Sequence, residues 1–594
     1  MSTAVFDQSP TSSTMSKCYS DASSVVSEPS TPGTEPHADD MIPEMENQKS
    51  QSVHPPERRA STMLVSQDSE DLRRILGGDS ATTLVKNCCG GGCCMMREMK
   101  VDDTQDPIIL PNNDAFRSLS LKLGALGART ELNGVVDLHE KTVSFHPLDP
   151  AMQISDTDTR KHPPKFVTPH PPYEVFSAPL YHARELTKPG AEKRTYHFDL
   201  DVTDYPKESG DVDFVVGGAI GVCAPNSPEA VEQIFDLLAV PRFIRDKRVL
   251  VKTTTGRWPT IWGDEHAREL VTTRRELLTW CSDFQSYPPT KQLLRLLAES
   301  AESPSERQIL LYLSSAQGQA AFCDLRTGPY ITLAQLLSAF PSSRPPLDHL
   351  LSVLKTLMPR FYSLSQDPQL SRWRDGTHCR RVIEIAVTVH ESLNFTGDER
   401  TGVGSGFLER LARQVIDAEA RGENPRDLDL RVPMFRGLMA NPLAREFVSD
   451  GPMLLIGAGV GIAPFRGFVH RRLKSANCAH KVWVLQGIRD SLLDELYSGD
   501  WGVHESEVKK VVQSRKGEGR YVQEEVRAQA DLVWFIINAF DGRIFVCGSS
   551  QGMGQGVERA LVDVTMAKGG LNDEEAKAFW EEKRKAGQYI SETW

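Results

Sequence analysis

At 594 residues with a formal charge of −12, the chain is long enough for three or four domains and too acidic for general binding to nucleic acid or anionic membranes. Apolar residues make up 39% of it and charged residues 25%, which suits an enzyme of the cytosol without identifying one. No run of about 18 apolar residues occurs, so no transmembrane segment is expected. The start also lacks the basic-then-apolar order of a secretory signal. Eleven cysteines without such a signal read as reduced thiols, and the expected compartment is cytoplasmic.

Taken in chain order, residues 1–105 are rich in Ser, Thr, Pro, Glu, Asp and Gln and almost devoid of aromatics. Such a segment buries too little apolar surface to offset its ordering entropy, so a disordered arm is expected. Within it, "RRAST" places Arg58 and Arg59 ahead of Ser61, which reads either as a basophilic phosphorylation site or as a chance match. "CCGGGCC" sets Cys88, Cys89, Cys93 and Cys94 on a glycine hinge. Four thiols there suit a soft metal, acylation or oxidation, or have no role; no histidine or second cluster completes a metal site, and none is assigned. Residues 106–170 read as a poorly defined linker.

From about residue 175 the texture changes. "APLYHARELT" and "KRTYHFDLDV" alternate apolar and polar residues around Pro189 and Gly190, the pattern of an antiparallel strand pair. Between about 227 and 355, "SPEAVEQIFDLL", "TRRELLTWCSDF", "KQLLRLLAESA" and "PPLDHLLSVLKTL" carry apolar residues at helical spacing. Strands resume at "RFYSLS" and "RVIEIAVTVH", so a β-domain over 171–445 is expected to hold a helical insertion. Residues 446–594 alternate strands ("PMLLIGAG", "KVWVLQGIR", "GRIFVCGSS") with helices ("FRGFVHRRLKS", "GMGQGVERALVDVT"). That order predicts a doubly wound parallel α/β sheet with ligand sites at the carboxyl ends of its strands.

Several stretches carry chemistry. In "LLIGAGVGIAPFRGF" a strand runs through Gly457, Gly459 and Gly461 into a helix. Glycines there permit close backbone approach to a pyrophosphate at the helix N-terminus; a ligand-free tight turn explains the pattern equally. "QSRKGEGRYVQ" gathers Ser514, Arg515, Arg520, Tyr521 and Gln523, donors suited to a ribose 2′-phosphate and an adenine, or else a solvated basic loop. "RFYSLS" offers Arg360, Tyr362 and Ser363. "RTGVGSGFLERL" sets Gly402, Val403, Gly404, Ser405 and Gly406 before a helix, a second phosphate-cradle pattern. "FVCGSS" ends a strand on Cys547, and the chain closes on "QYISETW" with Glu592 and Trp594.

In this order, these elements resemble the ferredoxin–NADP⁺-reductase-like module of the NADPH-dependent diflavin reductases. That group includes the sulfite reductase flavoprotein, the microsomal cytochrome reductases and methionine synthase reductase, and the resemblance covers about residues 175–594. It implies an α+β multidomain fold, with an antiparallel β-barrel FAD domain followed by an NADP-binding α/β domain. It also implies that Arg360 and Ser405 hold the FAD pyrophosphate, Tyr362 packs on the isoalloxazine, and the backbone of Gly402 and Val403 contacts it. Gly457, Gly459 and Gly461 with Arg489 would cradle the NADPH pyrophosphate. Ser514, Arg515, Tyr521 and Gln523 would hold the 2′-phosphate and adenine. Ser363, Cys547 and Glu592 would surround the point of hydride transfer, and Trp594 would stack on the flavin as a movable gate.

The chain departs from the family pattern at Val460, usually threonine, and at Ser549, usually acidic. Glu592 stands where the family usually has the shorter aspartate, and the spacing from Ser514 to Tyr521 is one residue short of the microsomal pattern. The FMN-binding flavodoxin domain that precedes this module in the diflavin reductases finds no counterpart in the sequence. One FAD, no FMN and a separate electron-acceptor protein carrying FMN, an iron–sulfur cluster or haem are therefore expected. The competing reading, supported by the three substitutions and the long arm, is a non-catalytic regulatory or assembly subunit that keeps the fold.

Overall fold

The computed structural model describes residues 107–593, apart from 125, 150–157, 170–173, 207–213, 255–266, 328–330, 369–371, 376–377, 438–442, 444–450, 474–480, 503–504 and 517–518. The expected arm with Ser61 and the Cys88–Cys94 cluster lies outside the described residues, and so does Trp594.

The first half is built on a sheet whose strands alternate between an apolar interior and a polar exterior. Strands β2 (Phe176–Glu185), β3 (Thr195–Asp201) and β4 (Ala219–Val222) are followed, after the insertion, by β7 (Arg360–Ser363), β8 (Arg372–Asp375), β9 (His378–Thr388) and β10 (Arg431–Arg436). Their order is β8-β9-β3-β2-β10-β4-β7, with every pairing antiparallel. Leu364, one residue past β7, bridges Ile385 of β9, and Ser365 N–H donates to Glu384 O at 2.8 Å. That bridge joins β7, at one end of the sheet, to β9, next to the other end, and closes the sheet into a barrel. Phe198, Leu200, Ile220, Ile383, Ile385 and Met434 fill the interior. The helix Val403–Ala420 packs on it through Phe407, Leu408, Leu411 and Val415.

The insertion is less purely helical than its sequence pattern predicts. Helices Pro228–Leu237, Lys291–Glu299, Pro304–Ser314, Leu333–Ala339 and Leu347–Val353 share one hydrophobic core with a three-stranded antiparallel sheet. That sheet consists of β1 (Val143–His146), β5 (Arg248–Thr253) and β6 (Arg268–Thr273). β1 comes from the segment expected to be a linker. The same segment supplies the short helix Asp114–Ser118, whose Phe116 meets the ring of Phe340 edge-on at 5.6 Å. Burying Phe116, Leu119, Leu126 and Val143 in the insertion core is what orders these residues. The linker expectation is corrected accordingly.

The second half is a five-stranded parallel sheet in the order β13 (Lys509–Gln513), β12 (Val482–Ile488), β11 (Met453–Ala458), β14 (Arg543–Gly548), β15 (Tyr589–Thr593). Its three central strands, β12, β11 and β14, read as nearly continuous apolar runs because both faces are covered, while the edge strands β13 and β15 carry polar residues. Met453, Leu455, Val484 and Phe545 pack on one side, while Leu454, Ile456, Leu485 and Ile544 pack on the other.

The two halves meet over β3, every residue of which is buried. Tyr196, Phe198 and Leu200 point into the barrel, so His197 and Asp199 point out. Tyr497 of the second half covers them: His197 Nδ1 lies 2.8 Å from the Tyr497 hydroxyl, and His197 Nε2 lies 2.8 Å from Asp199 Oδ1. Beside them Arg466, on the helix Ala463–Leu473, donates to Glu384 of β9 at 2.7 Å. His182 and His197 hold the Asp199 carboxyl well below the usual carboxylate range against the opposing effect of burial.

Candidate functional site

Two cavities lie along this junction. The first, of about 470 Å³, is lined by residues of the barrel and of the second half. The second, of about 890 Å³, lies over the carboxyl ends of β11 and β12. Thr388, His390 and Val460 line both, so the cavities meet there.

Gly402 hydrogen-bonds back to the barrel, its N–H donating to His390 O at 2.9 Å, and it opens the helix Val403–Ala420 with no side-chain cap. The first N–H groups of that helix have no partner within it, and Val403, Gly404 and Ser405 line the first cavity. An added Cβ at Gly404 would sit 2.7 Å from the Tyr362 hydroxyl and 2.8 Å from Arg360 Cγ, so glycine is needed for the turn to pack against β7. Ser405 Oγ accepts from His390 N–H at 3.1 Å, which leaves its hydroxyl hydrogen available as a donor.

Arg360 extends into the same space. Its Nη2 donates to Asp283 Oδ2 and to Ser286 Oγ, each at 3.1 Å, and its Nη1 donates to Met358 O. A fixed guanidinium, unpaired helix N–H groups and the half-buried Tyr362 form an anion cradle beside an aromatic face. Those donors fit the pyrophosphate and ring system of FAD. Asp283 and Ser286, which aim the guanidinium, escaped sequence reasoning because they lie more than 70 residues upstream in the insertion.

The three residues expected at the reacting centre line the same cavity, and the fold brings them together. β14 and β15 pair in a register that sets Cys547 directly beside Glu592. Ser363 Oγ, at the end of β7, donates to Glu592 at 3.3 and 3.4 Å. Burial lifts the Glu592 carboxyl to about 7, with the Ser363 hydrogen bond working in the other direction. Cys547 is fully buried, and burial together with the Glu592 charge pushes its thiol well above the ordinary range. The thiol is therefore neutral at physiological pH.

The second cavity receives Gly459, Arg489, Ser514, Arg520, Tyr521 and Gln523. Gly459 adopts φ +56° with open space where a Cβ would be, so the turn presents backbone to the cavity. Gly457 and Gly461, expected in the same cradle, do not line it. An added Cβ at Gly461 would lie 2.3 Å from Cys547 O, and one at Gly457 would lie 3.1 Å from Ile462 Cα. Both glycines serve the close packing of turn on strand. Arg515 is largely exposed and pairs with Glu192 of the barrel at 2.7 Å, while Arg520 lines the cavity. Lys193 of the barrel also lines it, and nothing in its sequence context pointed there. The exposed ring of Tyr521, the hydroxyl of Ser514 and the two lining arginines fit an adenine nucleotide with phosphate groups.

Comparison with known proteins points to the same cofactors. Residues 168–407 match the FAD binding domain family, and residues 455–559 match the oxidoreductase NAD-binding domain family. An FAD-binding protein of Schizosaccharomyces pombe is 46% identical over 523 residues, covering 81% of this chain and 88% of the relative. Methionine synthase reductase of Caenorhabditis elegans is 28% identical, covering 71% of this chain and 60% of the relative. NADPH–cytochrome P450 reductase of Drosophila melanogaster is 25% identical, covering 71% and 59%. Among the described residues no helix is long and apolar enough to cross a membrane.

Proposed function

The chain belongs to the FAD-binding family of its fission-yeast relative, and from that premise we propose that it is an NADPH-dependent flavoprotein reductase that passes electrons singly to a separate acceptor protein carrying FMN, an iron–sulfur cluster or haem. The observation that carries this reading is the convergence of Ser363, Cys547 and Glu592 in the first cavity, which meets the second at Val460. When bound, FAD supplies the capacity to accept a hydride and to release its electrons one at a time.

The protein's own groups supply position and charge. Arg360, fixed by Asp283, and the N-terminus of the helix Val403–Ala420 neutralise phosphate. Tyr362 offers a ring face, and its phenol stays protonated because burial raises it. Arg489, Arg515 and Arg520 with Ser514, Tyr521 and Gln523 supply the phosphate and adenine contacts that favour NADPH over NADH. Glu592 changes protonation near neutrality at the place where the nicotinamide changes charge; its ionised form stabilises a developing positive charge. Cys547 stays a neutral thiol and helps to exclude water. The separate acceptor is supported by the named relatives, which are reductases of a cytochrome and of methionine synthase.

The test is flavin content. Purified full-length protein is expected to carry about one FAD per chain, identified after heat release; a colourless protein that takes up no added FAD refutes the reading.

A further inference from the structure

The hairpin that joins β2 to β3 reaches across to the nucleotide half. Lys188 N–H donates to Leu493 O at 2.8 Å, and Arg194 Nε donates to Glu391 at 2.7 Å, so the tip is anchored on both sides. Gly190, with φ +93°, turns the chain, and Glu192 and Lys193 follow. One carboxylate oxygen, Glu192 Oε2, lies 3.1 Å from Arg489 Nη1 and 2.7 Å from Arg515 Nη1. The two arginines stand side by side at the ends of neighbouring strands, Arg515 N–H donating to Arg489 O at 3.2 Å.

Other cations of this loop are paired within the nucleotide half: Lys516 with Asp490 at 2.6 Å and Arg520 with Glu525 at 3.3 Å. Glu192 differs because it comes from the barrel, and because a single oxygen serves two guanidiniums, as a phosphate oxygen does. Lys193, the next residue, lines the cavity and makes no ion pair among the described residues.

We propose that Glu192 is an internal stand-in for nucleotide phosphate: it occupies Arg489 and Arg515 in the nucleotide-free protein, and a phosphate group of the incoming nucleotide displaces it. This rests on the NADPH reading of the second cavity. Exchange is favourable because a phosphate carries more charge and more acceptor oxygens than a carboxylate. It is also attainable, because the pair is weak: side-chain exposure is 48% for Glu192 and 63% for Arg515, and such exposed pairs are readily screened. Displacement removes the ionic link of the hairpin tip to the nucleotide half and leaves the Lys188–Leu493 bond, so nucleotide binding reports to the barrel. Glu192 therefore sets the affinity for the phosphate-bearing end without touching the reacting atoms.

The experiment is calorimetric titration of the FAD-containing full chain with adenosine 2′,5′-bisphosphate at low salt. Wild type, E192Q, R515Q and the double variant are compared. E192Q is expected to bind about two- to tenfold tighter than wild type, and the gain is expected to shrink when Arg515 is already Gln. Equal or weaker binding by E192Q overturns the proposal, since Glu192 then positions the arginines rather than competing for them. A gain undiminished in the R515Q background also overturns it. If wild type itself binds no bisphosphate, the nucleotide reading falls, and the inference falls with it.

Discussion

Glu592 offers the sharpest quantitative test of the reacting centre. Its carboxyl is raised from an ordinary 4.5 to about 7 by burial, against the Ser363 hydrogen bond. Between those two values the folded protein binds more protons than the unfolded chain, so stability falls as pH rises through this window and levels off above about 7. A tenfold change in proton affinity between the folded and unfolded states is worth about 1.4 kcal/mol, so the ionised carboxyl costs the fold about 3 kcal/mol at pH 8 and under about 1 kcal/mol at pH 5. Replacing Glu592 with Gln removes the titration. The stability of E592Q relative to wild type should therefore grow by about 2.5 kcal/mol between pH 5 and pH 8. Urea unfolding of the two proteins at several pH values measures this difference. S363A removes the bond that holds the carboxyl down, so its profile should shift to higher pH. A difference between wild type and E592Q that stays flat across the window would rule out a buried, proton-binding Glu592.

Gly404→Ala should lose bound FAD, read as the ratio of flavin to protein absorbance, because the new Cβ meets the Tyr362 hydroxyl at 2.7 Å and Arg360 Cγ at 2.8 Å. Helix propensity alone would favour alanine there by up to about 1 kcal/mol, so the loss should appear in flavin content rather than in helix stability. Arg466→Met removes the 2.7 Å partner of the Glu384 carboxylate at the domain junction, leaving His197 at 3.6 Å, and should cost about 1–3 kcal/mol in denaturant unfolding. Adding Glu384→Gln should recover part of that loss. Gly461→Ala drives a Cβ to within 2.3 Å of Cys547 O and should destabilise by about 1–3 kcal/mol.

Both domains and most of the first site were legible in the sequence, for identifiable physical reasons. The three central strands of the parallel sheet announce themselves because burial on both faces demands apolar runs such as Met453–Ala458, whereas the polar edge strands Lys509–Gln513 and Tyr589–Thr593 do not. Arg360, Tyr362 and Ser363 lie on one strand, and the glycines around Val403 mark the helix that faces it, but it was the resemblance of the ordered motifs to the reductase module that singled these residues out. Pairings distant in sequence were not legible. Nothing in residues 143–146 signals that they complete a sheet with residues 248–253, and nothing near Arg360 names Asp283 as its anchor. His197 and Asp199 are polar members of the alternation in β3; contacts distant in sequence, with Tyr497 some 300 residues away among them, turn that face into interior. Glycine spacing marked a tight turn at 457–461, but whether each glycine meets a ligand or a neighbouring strand depends on tertiary contact. That is why Gly459 faces the cavity while Gly457 and Gly461 do not.

Whether the protein is an NADPH-dependent reductase is decided by anaerobic rapid mixing of its FAD-containing form with NADPH or NADH, followed at the flavin absorbance. Bleaching by NADPH is expected at a rate well above that with NADH. Tight binding of NADPH without bleaching would contradict the reductase assignment and would support a subunit that keeps the fold for binding alone.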